Sequence, residues 1–249
     1  MARNKKNVLI AGAGDVGKSL AQILNKKYNI YFLDQNSLNK FADTGFDVLH
    51  ICFPYNENFI NEIIKYIKNF KPSLTIIDST VAVGTTQKII KHIQKKAVVH
   101  SPVIGDHNKL TLGISTFAKT IGADSSYFAK QASNHFRSVG INTKIFNDSR
   151  ITELGKLLLT TQFALNITFH QEMERMCKKS EIDFAGAVNQ MKDIFNTGYY
   201  KIRPNVVMPN LFPGKIGGSC LMQNIEILQK NYQSKFLKVI KTSNDKKKK

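Results

Sequence analysis

One short stretch limits the architecture of this chain more than any other. Asn7-Val8-Leu9-Ile10-Ala11 is an apolar run of strand length, and Lys18-Ser19-Leu20-Ala21-Gln22-Ile23-Leu24 has the periodicity of a helix. Between them, Gly12-Ala13-Gly14-Asp15-Val16-Gly17 spaces its glycines as G-x-G-x-x-G. Strand, glycine turn and helix in that order open a dinucleotide-binding βαβ unit, and the order turns a weak motif into a specific one. Gly12 permits the tight bend, Gly14 lets the backbone approach a pyrophosphate, and Gly17 lets helix and strand pack closely. The phosphates then rest on the helix N-terminus, beside Asp15 and Val16. Asp34 ends the next apolar run, 17 residues beyond Gly17, where a carboxylate bonds a ribose 2′-hydroxyl and repels a 2′-phosphate. NAD is therefore expected rather than NADP.

The alternation continues to about residue 147. Strands are expected at 7–11, 29–33, 47–52, 74–78, 97–100, 118–122 and 143–146, with helical spacing between them, as in Asn58–Asn69. Strands separated by helices imply an α/β fold, a Rossmann-type doubly wound parallel sheet. Pro54 and Ser79-Thr80 follow the third and fourth runs, at the carboxyl ends of strands, where such sheets hold ligands. They join the expected cofactor-binding set, although Ser79 and Thr80 equally suit a plain N-cap for a helix over 86–95.

From residue 148 the pattern changes. Ile151–Lys179 is poor in Gly and Pro and keeps apolar faces through Leu154, Leu157, Leu158, Ile167 and Met173, which predicts one long helix. A helical stretch at 184–195 follows, then an irregular segment rich in Gly, Pro and Asn over 196–218, then a helix over 222–230. The expected organisation is a nucleotide-binding domain at 1–147, a helical domain built on the long helix at 148–240, and a disordered Lys-rich tail at 241–249.

A hydrophobic content of 42% supports an ordinary buried core, and no run of about 18 apolar residues could span a membrane. With no secretory leader pattern, a cytoplasmic protein without membrane contact is expected. The three cysteines, Cys52, Cys177 and Cys220, are scattered and suggest neither a disulfide framework nor a metal site. A net charge of +18 invites an anionic partner, yet only five of 36 basic residues are Arg and no nucleic-acid-binding pattern accompanies them. A solvated lysine surface is the expectation, with no nucleic-acid partner.

Several segments, read in order, resemble the UDP-glucose/GDP-mannose dehydrogenase family. They are Asp47-Val-Leu-His-Ile-Cys-Phe-Pro-Tyr55, Ser79-Thr-Val-Ala-Val-Gly-Thr85, Glu153-Leu-Gly-Lys156 followed by Glu172, and Gly217-Gly218-Ser219-Cys220. The resemblance implies an NAD-dependent enzyme that oxidises a nucleotide-sugar alcohol twice, to the acid. It assigns Cys220 as the nucleophile that captures the intermediate aldehyde and Lys156 as the group that stabilises developing oxyanions. It places Thr160 and Asn224 at positions that orient or activate water, and Gly217, Gly218 and Arg203 against the substrate, Arg203 in loose alignment. It also implies a homodimer formed through the helix 151–179.

The chain departs from the family pattern in four ways. Thr160 and Asn224 stand where the family has Asn and Asp, and Val103 stands where a glutamate commonly follows the proline, with His107 either a substitute base or a plain surface histidine. About a dozen residues separate Asp34 from Asp47, where the family has a further βα unit, and the sequence stops soon after Cys220, without the family's nucleotide-enclosing C-terminal domain. Three readings follow: a trimmed nucleotide-sugar or sugar dehydrogenase; a single-step hydroxyacid dehydrogenase of the 6-phosphogluconate or β-hydroxyacid type; and an NAD-binding module without catalysis. Cys220 favours the first, since a single-step enzyme has no use for a thiol.

Overall fold

The computed structural model describes residues 5–33, 41, 44–217 and 219–247, with the backbone alone for His107, Ser219 and Cys220. It forms two compact units, 1–156 and 157–249.

In the first unit, seven strands stand at the positions their apolar runs anticipate: β1 (Asn7–Ala11), β2 (Asn29–Leu33), β3 (Val48–Ile51), β4 (Leu74–Ile77), β5 (Val98–His100), β6 (Lys119–Gly122) and β7 (Thr143–Phe146). They make one sheet in the order β2-β1-β3-β4-β5-β6-β7. Every residue of β3 and β4 is buried, because helices cover both faces. On one face α1 (Asp15–Leu24), α4 (Leu110–Thr116) and α5 (Ser126–Arg137) pack a core around Leu20, Leu24, Ile114 and Phe136. On the other, α2 (Phe59–Phe70) and α3 (Thr85–Ile93) bury Phe59, Ile63 and Ile89.

The expectation of an all-parallel sheet needs one correction. β6 pairs antiparallel with β5, through His100 and Gly122, and β7 runs parallel to β6. The connection between β5 and β6 holds α4, seven residues and so about 10 Å long, which packs on α1 and does not carry the chain back to the opposite edge. The reversal sets the carboxyl ends of β5 and β6 side by side.

α6 (Ser149–Lys179) is the long helix that the sequence predicts, and Asp124 caps it by accepting from the Ser149 backbone N–H and hydroxyl. In the second unit a π-helical turn, Ala185–Gln190, leads into α7 (Met191–Ile202). The helix thus reaches seven residues into the segment expected to be irregular and ends where Pro204 forces Arg203 out of helical backbone. α8 (Ser219–Asn231) is followed by α9 (Lys235–Asp245), which replaces the expected disorder by helix over 241–245. Lysines disguise the anchors of α9: Leu237 and Ile240 are buried, as are Ser243 and Asn244, whose polar atoms are bonded inside the unit.

Candidate functional site

The glycine turn has the shape its sequence requires. Gly12 adopts φ +106°, and a Cβ there would stand 2.9 Å from the Cys52 carbonyl carbon. A Cβ on Gly17 would sit 2.0 Å from the Gly12 oxygen. Gly14 is the N-cap residue of α1, with nothing within 4 Å of a Cβ position and no side chain capping the first turn. The leading N–H groups of α1 therefore open onto a cradle that an anion fits. Asp15 begins the helix, exposed, and Val16 packs against the α1 core. Asp34 lies outside the described residues.

The carboxyl ends of β3 and β4 form the next part of the rim. Pro54 is exposed beyond β3. Ser79 donates its hydroxyl to the Phe53 carbonyl (2.6 Å) and the Ile51 carbonyl (3.2 Å), stitching the two strand ends together, and Thr80 beside it is half-buried. Ser79 and Thr80 do not cap the following helix. α3 starts at Thr85 with Gly84 as its N-cap residue. Its first turn is capped by Glu153 of α6, which accepts from the Gly84 N–H (2.6 Å), the Thr86 N–H (2.8 Å) and the Thr86 hydroxyl (2.7 Å). Burial pushes the Glu153 carboxyl up, against these donors, which pull it down.

His100 forms a second bridge to α6. Its Nε2 lies 3.1 Å from the Ser79 carbonyl and its Nδ1 2.8 Å from the Thr152 hydroxyl. Burial lowers its pKa to about 3, so the ring is neutral at pH 7, and since a carbonyl only accepts, Nε2 carries the proton. Lys156 follows one turn after Thr152 and is half-buried.

Beneath the rim lies a buried ionic network with no counterpart in the sequence reading. Lys119 of β6 donates to Asp78 Oδ1 (2.7 Å) and to the Ser101 carbonyl (2.5 Å), and its ammonium stands 5.0 Å from the Phe136 ring centroid. His50 donates Nδ1–H to Asp78 Oδ2 (2.6 Å), and its Nε2 is 3.0 Å from His135 Nε2. Burial raises the Asp78 carboxyl, but Lys119 and His50 outweigh it and hold the pKa below the usual carboxylate range. Burial, aided by Asp78, pushes the Cys52 thiol well up, so Cys52 stays a thiol. Val103, where a glutamate was looked for, is buried.

In the second unit, Thr160 and Asn224 are brought together. The Thr160 hydroxyl donates to the Leu157 carbonyl (3.0 Å) and accepts from Asn224 Nδ2 (3.2 Å), with Asn224 buried on α8. The chain leading to Gly217 is held at its backbone: Asn244 pairs with both the N–H (2.6 Å) and the carbonyl (3.2 Å) of Ile216, and Gln171 donates to the Gly214 carbonyl (2.7 Å). Gly217 is exposed, Gly218 lies outside the described residues, and Cys220 sits in the first turn of α8. Arg203 is exposed at the end of α7. The parts sequence reasoning missed are His50, Asp78, His100, Lys119 and Asn244. The one signal of the first four is a polar residue within or just after an apolar run, as in Val48-Leu-His-Ile51 and Leu74-Thr-Ile-Ile-Asp78, and Asn244 has none.

Residues 150–246 match the model of the UDP-glucose/GDP-mannose dehydrogenase family, central domain. A UDP-N-acetyl-D-mannosamine dehydrogenase of Methanococcus vannielii is 29% identical over 190 residues, 75% of this chain and 42% of that relative. The chain thus spans about two fifths of the length of the curated relatives it matches. The fold resembles the solved UDP-D-ManNAc dehydrogenase of Pyrococcus horikoshii at a TM-score of 0.79 and 17% identity, covering 96% of this chain and 68% of that one. It also resembles 3-hydroxyisobutyrate dehydrogenase of Mycobacterium tuberculosis at a TM-score of 0.68 and 12% identity, covering 97% and 92%. Over residues 150–246 the chain is thus similar to the central domain of the UDP-glucose/GDP-mannose dehydrogenase family.

Proposed function

We propose that this chain is the nucleotide-binding and central part of an NAD-dependent oxidoreductase that oxidises the alcohol of a sugar or nucleotide sugar toward the acid. The observation that carries the reading is the glycine turn: a left-handed Gly12, a Gly17 that admits no Cβ, and an uncapped α1 N-terminus beyond an open Gly14. Gly12, Gly14, Asp15, Val16 and Gly17 would hold the pyrophosphate, with Asp34 on the adenosine ribose and Pro54, Ser79 and Thr80 along the rim. NAD held there would supply the hydride acceptor for the carbon bearing the alcohol.

The remaining chemistry belongs to the chain. Lys156 would stabilise the oxyanion as the alcohol loses its proton. Cys220 would add as thiolate to the resulting aldehyde and hold it as a thiohemiacetal; this would lose a second hydride to a second NAD, and water would then cleave the thioester, releasing the acid and the thiol. Thr160 and Asn224, bonded to each other, present a hydroxyl and an amide where the family carries an amide and a carboxylate, and so would orient water without taking its proton. Arg203 and Gly217 would face an anionic substrate.

The deciding experiment is NADH formation from NAD with a panel of nucleotide sugars and small hydroxy acids, comparing wild type with Cys220→Ala and Lys156→Ala. Two NADH per nucleotide sugar, lost in Cys220→Ala, support the reading. One NADH per hydroxy acid, indifferent to Cys220, supports instead a single oxidation, the alternative that buried Val103 favours. A homodimer through α6 is part of the proposal. Leu158, Phe169 and Met176, spaced by 11 and 7 residues on one stripe, are about half exposed at 50%, 59% and 56%. A monomeric mass in light scattering rejects it.

A further inference from the structure

Helix α3 begins without any cap of its own. Gly84, at φ +86°, precedes its first residue, and no side chain from the loop 79–84 reaches the leading N–H groups. Glu153 supplies the acceptors from α6, 67 and 69 residues away in sequence, with both carboxylate oxygens engaged and the residue fully buried. A Ser or Asp N-cap in extended backbone would cap the helix locally and without burying a carboxylate, but φ +86° at position 84 favours glycine and leaves no such side chain there. A carboxylate borrowed from a distant helix achieves something a local cap does not, since it joins two elements. The loop on one side carries Ser79 and Thr80. The helix on the other carries Lys156, less than one turn beyond Glu153, so the Lys156 backbone cannot shift unless Glu153 shifts with it. The His100 bridge from the Ser79 carbonyl to the Thr152 hydroxyl runs between the same two elements.

The geometry points to Glu153 as a positioning residue. Through its three hydrogen bonds to Gly84 and Thr86 it fixes Lys156 and the Ser79–Thr80 loop in one arrangement, so that cofactor binding at the rim and the lysine share a single rigid support. This inference rests on the reading that NAD occupies the rim. Glu153 itself is spent on Gly84 and Thr86 and acts only through them.

The test uses the full chain and three readouts: hydrogen exchange of peptides spanning 80–88, the acetylation rate of Lys156 relative to Lys130, and NADH affinity by fluorescence titration. Glu153→Gln keeps the shape but turns an amide NH2 toward one of the donors. It is expected to speed exchange over 80–88 about tenfold, with peptides from β1 and α1 unchanged, to change the Lys156 acetylation rate at least ~3-fold, and to weaken NADH binding about tenfold. Thr86→Val, which removes one donor of three, is expected to move all three readouts the same way by about threefold, and it carries the test if Glu153→Gln does not fold. Unchanged exchange, or unchanged Lys156 labelling, overturns the tie. Faster exchange with unchanged NADH affinity reduces Glu153 to a helix cap and overturns the positioning role. A wild-type chain that binds no NADH overturns the cofactor reading, and the positioning role with it, before any substitution is compared.

Discussion

Replacing Lys119 by Met tests whether the network beneath the rim supports the fold. The Lys119 side chain is 3% exposed and that of Asp78 is fully buried, so the substitution strips Asp78 of its ammonium partner and leaves a carboxylate in the interior with the His50 ring as its remaining donor. Removing one member of a buried ion pair costs about 3–5 kcal/mol, because the remaining charge is desolvated without compensation. The Ser101 carbonyl loses its 2.5 Å donor as well, which places the expected loss toward the upper end. Met fills most of the space of the lysine stem, so little of the loss comes from a cavity. For a chain of this size the thermal midpoint should fall by roughly 10 °C at pH 7. Without Lys119, burial dominates at Asp78 and its pKa rises, so lowering the pH toward 4.5 protonates it and shrinks the gap between variant and wild type. Adding Asp78→Asn to Lys119→Met should restore at least half of the loss, since no charge then remains unpaired. The assay is thermal unfolding by circular dichroism at pH 7 and pH 4.5. A loss below about 1 kcal/mol at pH 7, or a double variant weaker than Lys119→Met alone, would refute the reasoning.

Other positions give shorter tests. Gly17→Ala puts a methyl 2.0 Å from the Gly12 oxygen, a backbone atom that cannot swing aside, so NADH affinity should drop at least ~30-fold in titration while Gly14→Ala, in open space, costs far less. His100 is neutral when folded, with a pKa near 3 against 6.5 unfolded, so the unfolded chain takes up a proton below pH 6.5 that the native state refuses. Stability should therefore fall as pH drops from 6.5 toward 3, by on the order of 3–5 kcal/mol, and His100→Gln should flatten that slope by one proton in pH-dependent denaturant melts. Asn244→Ala removes both backbone bonds at Ile216, with an expected cost of about 2 kcal/mol and faster hydrogen exchange confined to 213–217.

What could be read in advance follows from how local each signal is. β1, β3 and β4 announce themselves as apolar runs because they are buried on both faces, and the long helix because nothing in Ser149–Lys179 interrupts it. Gly12 and Gly17 were legible because steric demands act within one turn of chain. The reversal of β6 was not, since direction depends on how α4 packs against α1. Lys119 reads as one more surface lysine until Asp78, 41 residues away, is seen beside it. Glu153 was visible as part of a motif, but its partners Gly84 and Thr86 could be found only in three dimensions. The lysines of the last helix masked Asn244 in the same way, by giving the segment the composition of a solvated tail.

The pair formed by Lys119 and Asp78 also bears on how β6 finds its place. A strand that meets its neighbour β5 through a single residue pair, His100 with Gly122, has almost no ladder to define its register. A slip of one residue that presents Thr120 to Asp78 would carry Lys119 to the exposed position that Ala118 holds, leaving the buried carboxylate without its ammonium. The ion pair therefore acts as an index pin for the reversed strand: it rejects the neighbouring alignments far more strongly than it favours the correct one, and the same alignment delivers Gly122 to the start of α6, where no larger residue fits against Thr152.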